Sequence, residues 1–155
     1  MSQLRPLLVP GATYFFTVRL KDPTSKLLIS QVDLLRQAVR ACRQQMPFHI
    51  GSSVVLPNRM HTIWTLPPGD DDYGKRWKMI KTTFARHAQV PRRAVTNGLW
   101  QRRYWEVPVL AQGELDEYEA MIWHAAVSEG LVKRPEDWPY CTISRARTWD
   151  AELVE

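Results

Sequence analysis

The chain has 155 residues, of which 45% are hydrophobic and 24% are charged, so its composition is typical of a globular protein and not of a disordered one. A domain of this length can bury a sizeable core without disulfides or a structural metal. The net charge of +5 at pH 7 favours an anionic partner, with nucleic acid ahead of an anionic membrane.

Membrane-spanning and secreted classes are not indicated. No apolar run approaches the roughly 18 residues of a membrane span, and the first residues lack the apolar stretch of a signal peptide. Cys42 and Cys141 are too few and too isolated for a disulfide framework or a zinc site. We therefore expect two reduced thiols in a cytoplasmic protein that has no membrane partner.

The first half of the chain predicts three strands and one helix. Residues 12–20 alternate and are rich in aromatic and β-branched side chains, which is typical of a strand. Apolar residues at helical spacing predict a helix over residues 30–45, with Ser30 and Asp33 as its N-terminal capping signal. Residues 48–56 and 60–66 are predicted strands, joined by a Pro-Asn turn.

The second half predicts two further helices and one strand. A break rich in Pro, Gly and Asp precedes a helix over residues 73–86, with the acids in its first turn. Residues 87–98 are predicted to form a loop and residues 99–110 a strand. Residues 114–129 predict the last helix, which Gly130 ends.

This order of elements predicts an α+β domain with one antiparallel sheet and helices packed on one face. A ferredoxin-like arrangement is the simplest fit to the order strand, helix, strand, strand, helix, strand, helix. We predict a single domain over residues 1–145, followed by a short C-terminal tail over residues 146–155.

Two basic segments bear on the choice of partner. The second helix carries five cations, and the stretch Trp100–Trp105, WQRRYW, places Arg102 and Arg103 among aromatic residues. Cations can follow a phosphate backbone, and aromatic rings can stack on unpaired bases. A solvated helix face and aromatic residues that face the core would give the same sequence pattern. Together the two segments favour nucleic acid. The helix cations are Lys75, Arg76, Lys78, Lys81 and Arg86.

Four segments in a fixed order carry a family resemblance that extends over roughly residues 5–145. The chain resembles the REP-associated tyrosine transposases, a branch of the single-tyrosine HUH transposases. The resemblance implies a ferredoxin-like sheet that binds a DNA hairpin and cuts an adjacent single strand. The segments are VPGATYFFTVRL, VVLPNRMHTIWTLPPGDDDYGKRWKMIKTTFAR, LWQRRYWE and GLVKRPEDWPYCT.

The resemblance also implies a catalytic site, and the sequence departs from it at three positions. The family holds Mg or Mn with a His-hydrophobic-His pair, but this chain has Arg59-Met60-His61. The family's attacking tyrosine falls on Met121, and its polar metal ligand one turn later falls on Ala125. The catalytic site is therefore predicted to be degenerate, with His61 as the remaining metal ligand.

Each departure removes a chemical function. Arginine has no lone pair for a metal, and its charge about 4 Å from a divalent ion costs about 8 kcal/mol at an effective dielectric near 20. Methionine has no hydroxyl, and alanine binds no metal. We expect no cofactor, with the Arg59 guanidinium instead holding a phosphate through two hydrogen bonds. The competing interpretation is that Arg59 simply extends to solvent.

Three functions follow from these observations. The first is a protein that binds hairpin or single-stranded repeat DNA without cleaving it, as a monomer or homodimer at the nucleoid. The second is an active single-strand transposase or nuclease that uses Tyr118 as a displaced nucleophile and a metal at His61. The third is a protein-interaction module that has lost DNA binding. The DNA contacts predicted for the first are Arg59, His61, Lys75, Lys78, Lys81, Arg102 and Arg103.

Overall fold

A computed structural model describes residues 11–142, apart from the side chain of Val95. The predicted tail over residues 146–155 lies outside the described residues. The strands are β1 (Thr13–Arg19), β2 (His49–Leu56), β3 (Arg59–Thr65) and β4 (Trp105–Pro108). The helices are α1 (Leu27–Ser30), α2 (Val32–Gln45), α3 (Tyr73–His87), α4 (Arg92–Thr96) and α5 (Gln112–Ser128), followed by a 3₁₀ turn at Pro135–Asp137.

The four strands form one sheet in the order β2-β3-β1-β4, and every neighbouring pair is antiparallel. This order, with α2 between β1 and β2 and α3 between β3 and β4, is that of a ferredoxin-like fold. The predicted α+β class and its antiparallel sheet are confirmed. Among residues 11–142, no helix joins the length and the apolar character that crossing a membrane would require.

One side of the sheet, called the α3 face, is covered by α2 and α3. Successive side chains of a strand point to opposite sides of the sheet, so Tyr14, Phe16 and Val18 of β1 share this face. Large aromatic rings fill the space between sheet and helices, with Trp64 stacked on Trp77 at 4.3 Å between ring centroids. This aromatic layer forms the larger of the two apolar cores.

The other side, called the α5 face, is covered by α5. Phe15 and Ile63 from the sheet pack there with Ile122, Ala125 and Ala126 of the helix. The prediction that all helices pack on one face was therefore wrong for α5. The physical reason is that the central strands carry apolar residues at both odd and even positions. Both faces of the sheet must therefore be buried under helices.

The first long helix begins two residues later than predicted, at Val32. Ser30 ends the short helix α1, and its hydroxyl donates to the Leu27 carbonyl instead of capping α2. Gln31 stands between the two helices, and its side-chain amide exchanges hydrogen bonds with the backbone of Gln89. A tertiary contact at Gln31 thus replaces the expected local cap.

Three further elements differ from the prediction. Asp72 precedes α3 and caps it by accepting from the Lys75 amide, so the acids stand before the first turn and not in it. The predicted loop over residues 87–98 contains the short helix α4, which begins after Pro91. The predicted strand over residues 99–110 is interrupted: Trp100 forms an isolated antiparallel bridge with Leu20 and packs on Phe84, residues 101–104 are not in a strand, and β4 follows.

Arg76, one of the five cations that the sequence places on α3, is buried, with 1% of its surface accessible. Its guanidinium is fixed by Asp70 through both carboxylate oxygens, at 2.7 and 3.1 Å. The remaining N–H groups donate to the carbonyl oxygens of Met46, Pro47 and Asp72. All five donors of the side chain are therefore used.

Both edges of the sheet are bounded within the described residues. At the β2 edge, the amide of Val55 donates to the Tyr140 carbonyl, and Thr142 and Ser53 exchange hydrogen bonds. At the other edge, β4 has only four residues and ends at Pro108, which has no amide hydrogen. Gly130, with a positive φ of 76°, ends α5 as predicted and allows the chain to turn back towards β2.

Candidate nucleic-acid interface

Two residues of the predicted catalytic site lie on β3, where Arg59 and His61 share the α5 face. Their cross-strand partners on β1 are Arg19 and Thr17, respectively. Thr17 in turn pairs with Trp105 on β4, which extends the same row to the sheet edge. The register therefore collects cations, a histidine and an exposed tryptophan on one face.

His61 is a buried, neutral side chain. Only 8% of its surface is accessible, and Nδ1 lies 2.7 Å from the Thr17 hydroxyl. Burial lowers the pKa of His61 to about 4, and the nearby charges of Arg59 and Arg19 act in the same direction. At neutral pH the ring is uncharged, so it offers a DNA phosphate no cationic partner.

The Arg59 guanidinium is paired with Glu129, at the C-terminal end of α5. One nitrogen lies 2.7 Å from a Glu129 carboxylate oxygen, and the other donates to the second oxygen at 3.4 Å and to Asn58 at 3.3 Å. The hydrogen bond from Arg59 is the main cause that lowers the pKa of Glu129. Arg59 therefore does not extend freely to solvent. Its guanidinium also has no free pair of N–H groups on this side with which to hold a phosphate, because Glu129 occupies them.

The remaining predicted catalytic positions lie on α5. Tyr118 stacks on Phe15 with ring centroids 4.2 Å apart, and burial together with Glu114 and Glu117 raises its pKa. Both effects disfavour the phenolate that an attacking tyrosine requires. Met121 is 39% exposed, and Ala125 is buried against the sheet.

The donor set of this face does not fit the divalent metal that the family resemblance implies. His61 could offer a ring nitrogen, but the Glu129 carboxylate is held by Arg59 and Ala125 has no donor atom. Across residues 11–142, no group of three or more His, Cys, Asp or Glu side chains is placed to hold an ion. Glu129 also offsets the charge of Arg59, so the lack of ligands weighs more here than the predicted repulsion.

On the opposite side of the fold, α3 and the segment 100–104 enclose a groove of about 470 Å³, called the basic groove. It brings together the two segments that the sequence singled out, and no carboxylate is among its lining residues. Two lining indole N–H groups are buried without a hydrogen-bond partner in the described residues. The lining residues are Gly74, Trp77, Lys78, Lys81, Thr82, Trp100, Gln101, Arg102 and Tyr104.

Lys81 is the fixed cation of the basic groove. Its ammonium donates to the Gln101 carbonyl at 3.1 Å and lies 4.7 Å from the centre of the Tyr104 ring. Lys78 and Arg102 are exposed. A second depression shares Lys81 and adds Arg86, which extends the positive surface along α3. The groove thus offers cations and an aromatic wall to an anionic ligand.

The structure does not bring all the predicted DNA contacts together. Lys78, Lys81 and Arg102 line the basic groove, whereas Lys75 and Arg103 are exposed outside it. Arg59 and His61 lie on the far face of the sheet. Sequence reasoning also missed Arg19 and Glu129, whose places beside Arg59 follow from strand register and from the end of α5.

Comparison with known proteins gives two sequence relatives. The chain is 39% identical over 145 residues to the REP-associated tyrosine transposase of Escherichia coli K12, covering 94% of this chain and 84% of that protein. It is 31% identical over 155 residues to a putative REP-associated tyrosine transposase of Haemophilus influenzae Rd, covering 94% and 87% respectively. No protein-family model matches the chain.

Solved structures give the same result. A REP-associated tyrosine transposase bound to a REP hairpin aligns with a TM-score of 0.83 at 38% identity, over 94% of this chain and 84% of that one. A putative transposase from Deinococcus radiodurans aligns with a TM-score of 0.50 at 17% identity, over 79% of this chain and 95% of that one. The second likeness concerns the fold alone.

Proposed function

Because this chain belongs to the family of REP-associated tyrosine transposases, we propose that it binds a DNA hairpin in its basic groove and does not cut the bound strand. The relative of known structure is bound to a REP hairpin. The proposal extends that ligand class to this chain. We also propose that the protein acts in the cytoplasm, at the nucleoid.

The observation that carries the binding proposal is the composition of the basic groove. Lys78, Lys81 and Arg102 converge from two separate segments, and no carboxylate competes for them among the lining residues. Each cation that neutralises a phosphate releases a counterion, which makes binding favourable and dependent on salt. The Tyr104 ring beside Lys81 adds an apolar surface for sugar or base.

The proposal that cleavage is absent rests on the α5 face. Transfer of a phosphodiester needs a nucleophile and charge neutralisation at the phosphorus. Met121 supplies no hydroxyl, and Tyr118 is stacked on Phe15 with a raised pKa. Of the implied metal ligands only His61 is present. Arg59 would join the DNA contacts only by exchanging Glu129 for a phosphate.

The first test compares two triple variants in titrations of a labelled DNA hairpin selected from a random pool. Lys78→Ala, Lys81→Ala and Arg102→Ala together should weaken binding about 100-fold. They should also reduce by about three the number of counterions released on binding, which is measured from the slope of log affinity against log salt concentration. Lys26→Ala, Arg40→Ala and Lys133→Ala remove the same charge from exposed positions outside the groove. Equal losses in the two triple variants would show that only net charge matters and would contradict the groove.

The second test separates binding from cleavage and from the protein-interaction alternative. The labelled hairpin is incubated with the protein and Mg²⁺ or Mn²⁺, and the products are separated on a denaturing gel. We expect intact DNA and no covalent adduct. An adduct that disappears in Tyr118→Phe would establish the displaced-nucleophile alternative, and failure to bind any hairpin would favour the protein-interaction alternative. Sedimentation of the complex distinguishes monomer from homodimer.

A further inference from the structure

Trp105 is the most exposed of the large apolar side chains in the described residues, with 65% of its surface accessible. It begins β4, the edge strand of the sheet. Its ring makes no aromatic contact and its side chain no hydrogen bond within residues 11–142. A tryptophan left in water in this way exposes a large apolar surface that a partner can cover.

Three arginines lie near Trp105 in the chain or in the sheet, while the adjacent Glu106 is hydrogen-bonded to Tyr73 on the α3 face. Arg102 and Arg103 precede it and are both exposed. Its cross-strand partner is Thr17, and Arg19 lies two residues along β1 on the same face. Arg59 is paired with Glu129, whereas the Arg19 side chain is exposed and lies beyond ion-pair distance of the described carboxylates, although its charge contributes to the lowered pKa of Glu129. An aromatic plane beside exposed cations matches a nucleotide, which has a flat base and an anionic phosphate.

Trp105 also lies where a strand leaving the basic groove would cross the sheet edge. Tyr104, the residue before it, lines the groove on the α3 face. Trp105 pairs with Thr17 and so lies on the α5 face. The two consecutive rings therefore stand on opposite sides of the edge, with Arg102 and Arg103 beside them. A DNA strand held by the groove would reach Trp105 by passing round this edge.

We infer that Trp105 is a stacking platform for an unpaired base in the single strand that flanks the hairpin, with Arg19 as the partner of a flanking phosphate. The inference rests on the proposed hairpin binding and adds a second, single-stranded contact to it. The other possible occupant of this exposed edge is a second copy of the chain. The local excess of arginine opposes that occupant, because two copies would bring like charges together.

The test uses two DNA probes, the selected hairpin alone and the same hairpin with a short single-stranded flank. Trp105→Ala should bind the flanked hairpin about tenfold more weakly than the unaltered protein, because one lost base stack is of that size. Its binding of the bare hairpin should stay within about twofold. Trp105→Phe, which keeps a ring, should recover most of the loss.

Leu110→Ala is the matched control, because Leu110 is 60% exposed close to the end of β4 and has no ring. It should leave binding of both probes unchanged. Flank bases are also replaced one at a time by abasic sites. One position should weaken binding by the unaltered protein about tenfold. The same abasic site should have no further effect in Trp105→Ala.

Four outcomes would overturn the inference while the proposed hairpin binding stands. Trp105→Ala could weaken binding of both probes equally, or weaken binding of neither. Leu110→Ala could lose as much affinity for the flanked hairpin, or Trp105→Ala could shift a monomer–dimer equilibrium towards monomer. If the unaltered protein fails to bind the bare hairpin, the proposed function fails first. A corresponding Arg19→Ala variant should lower the salt dependence for the flanked probe only.

Discussion

Each side of the fold carries one buried or half-buried arginine paired with a carboxylate, and the two pairs are built differently. On the α3 side, the Arg76 side chain is 2% exposed and Asp70 is 34% exposed. On the α5 side, the Arg59 side chain is 15% exposed and Glu129 is 43% exposed. Arg76 uses all its donors, whereas Arg59 is bound only by Glu129 and Asn58.

The difference indicates two separate roles. Arg76 ties the end of α2, the segment before α3 and α3 itself into one unit, so its pair supports the fold. Arg59 occupies the place where the family resemblance implies a metal, and its pair neutralises a charge at the rim of α5. The aromatic layer on the α3 face forms the larger apolar core, and the α5 face carries the smaller one.

The largest effect is expected at the Arg76 pair. Asp70→Asn should lower the free energy of unfolding by about 3 kcal/mol, because it leaves a buried guanidinium without its counter-charge. Urea denaturation measures the change. Asp33→Asn is the control, since its pair with Arg36 is on the surface and should contribute less than about 1 kcal/mol. A change in Asp70→Asn no larger than that of the control would contradict the structural role.

The next effect is the pH dependence of stability that His61 causes. The pKa of His61 is lowered from 6.5 to about 4 in the folded chain. Below pH 6.5 the ring is therefore protonated in the unfolded chain but remains neutral in the folded chain until the pH approaches 4. Its stabilising contribution is therefore present above about pH 6.5 and is lost as the pH falls towards 4. The loss at pH 4.5 should be about 2.5 kcal/mol.

Denaturation at a series of pH values tests this expectation, with His61→Gln as the comparison. The variant has no titrating ring and should lose less stability between neutral pH and pH 4.5. The charged groups facing His61 are Arg59, Arg19 and Glu129, and they are the same in the two proteins. Parallel stability curves for the two proteins would show that His61 does not carry the effect.

The smallest effect is expected at the Arg59 pair. Glu129→Gln should change the free energy of unfolding by less than about 1 kcal/mol, because the pair is partly exposed. The same substitution frees Arg59 on the α5 face, which the single-stranded flank and not the hairpin is proposed to reach. Affinity for the flanked hairpin should therefore rise about fivefold, on the order of one added phosphate contact. The double variant Arg59→Ala/Glu129→Gln should lose that gain. Arg59→Ala alone should leave affinity within about twofold.

Much of the fold was predictable because strand pattern and order are local signals. Alternation located β1, β2 and β3 to within a residue or two at each end, and the order of elements indicated the ferredoxin-like sheet. The position of α5 was not predictable in this way. The run Tyr14-Phe15-Phe16 places aromatic side chains on both faces of β1. This pattern could have indicated that each face of the sheet is covered by a helix.

Prediction of the site was more limited, because its contacts join residues that are distant in sequence. Arg76 lies three residues after Tyr73 and four before Ile80, so helical spacing already placed it on the apolar side of α3. The pair between Arg59 and Glu129 spans 70 positions and depends on where α5 ends against the sheet. No local pattern could have indicated it, and the phosphate-binding role predicted for Arg59 did not allow for this neighbour.

The way in which the two edge strands are covered or shortened has a consequence for self-association. The 140–142 segment occupies backbone groups of β2, and β4 offers a short template that Pro108 interrupts. Within residues 11–142, neither edge of the sheet thus presents a long row of free amides that could recruit a strand from another molecule. Growth by sheet extension, the usual route from a small β-containing protein to aggregates, is blocked at both ends, so a concentrated preparation should remain dispersed even while Trp105 stays uncovered.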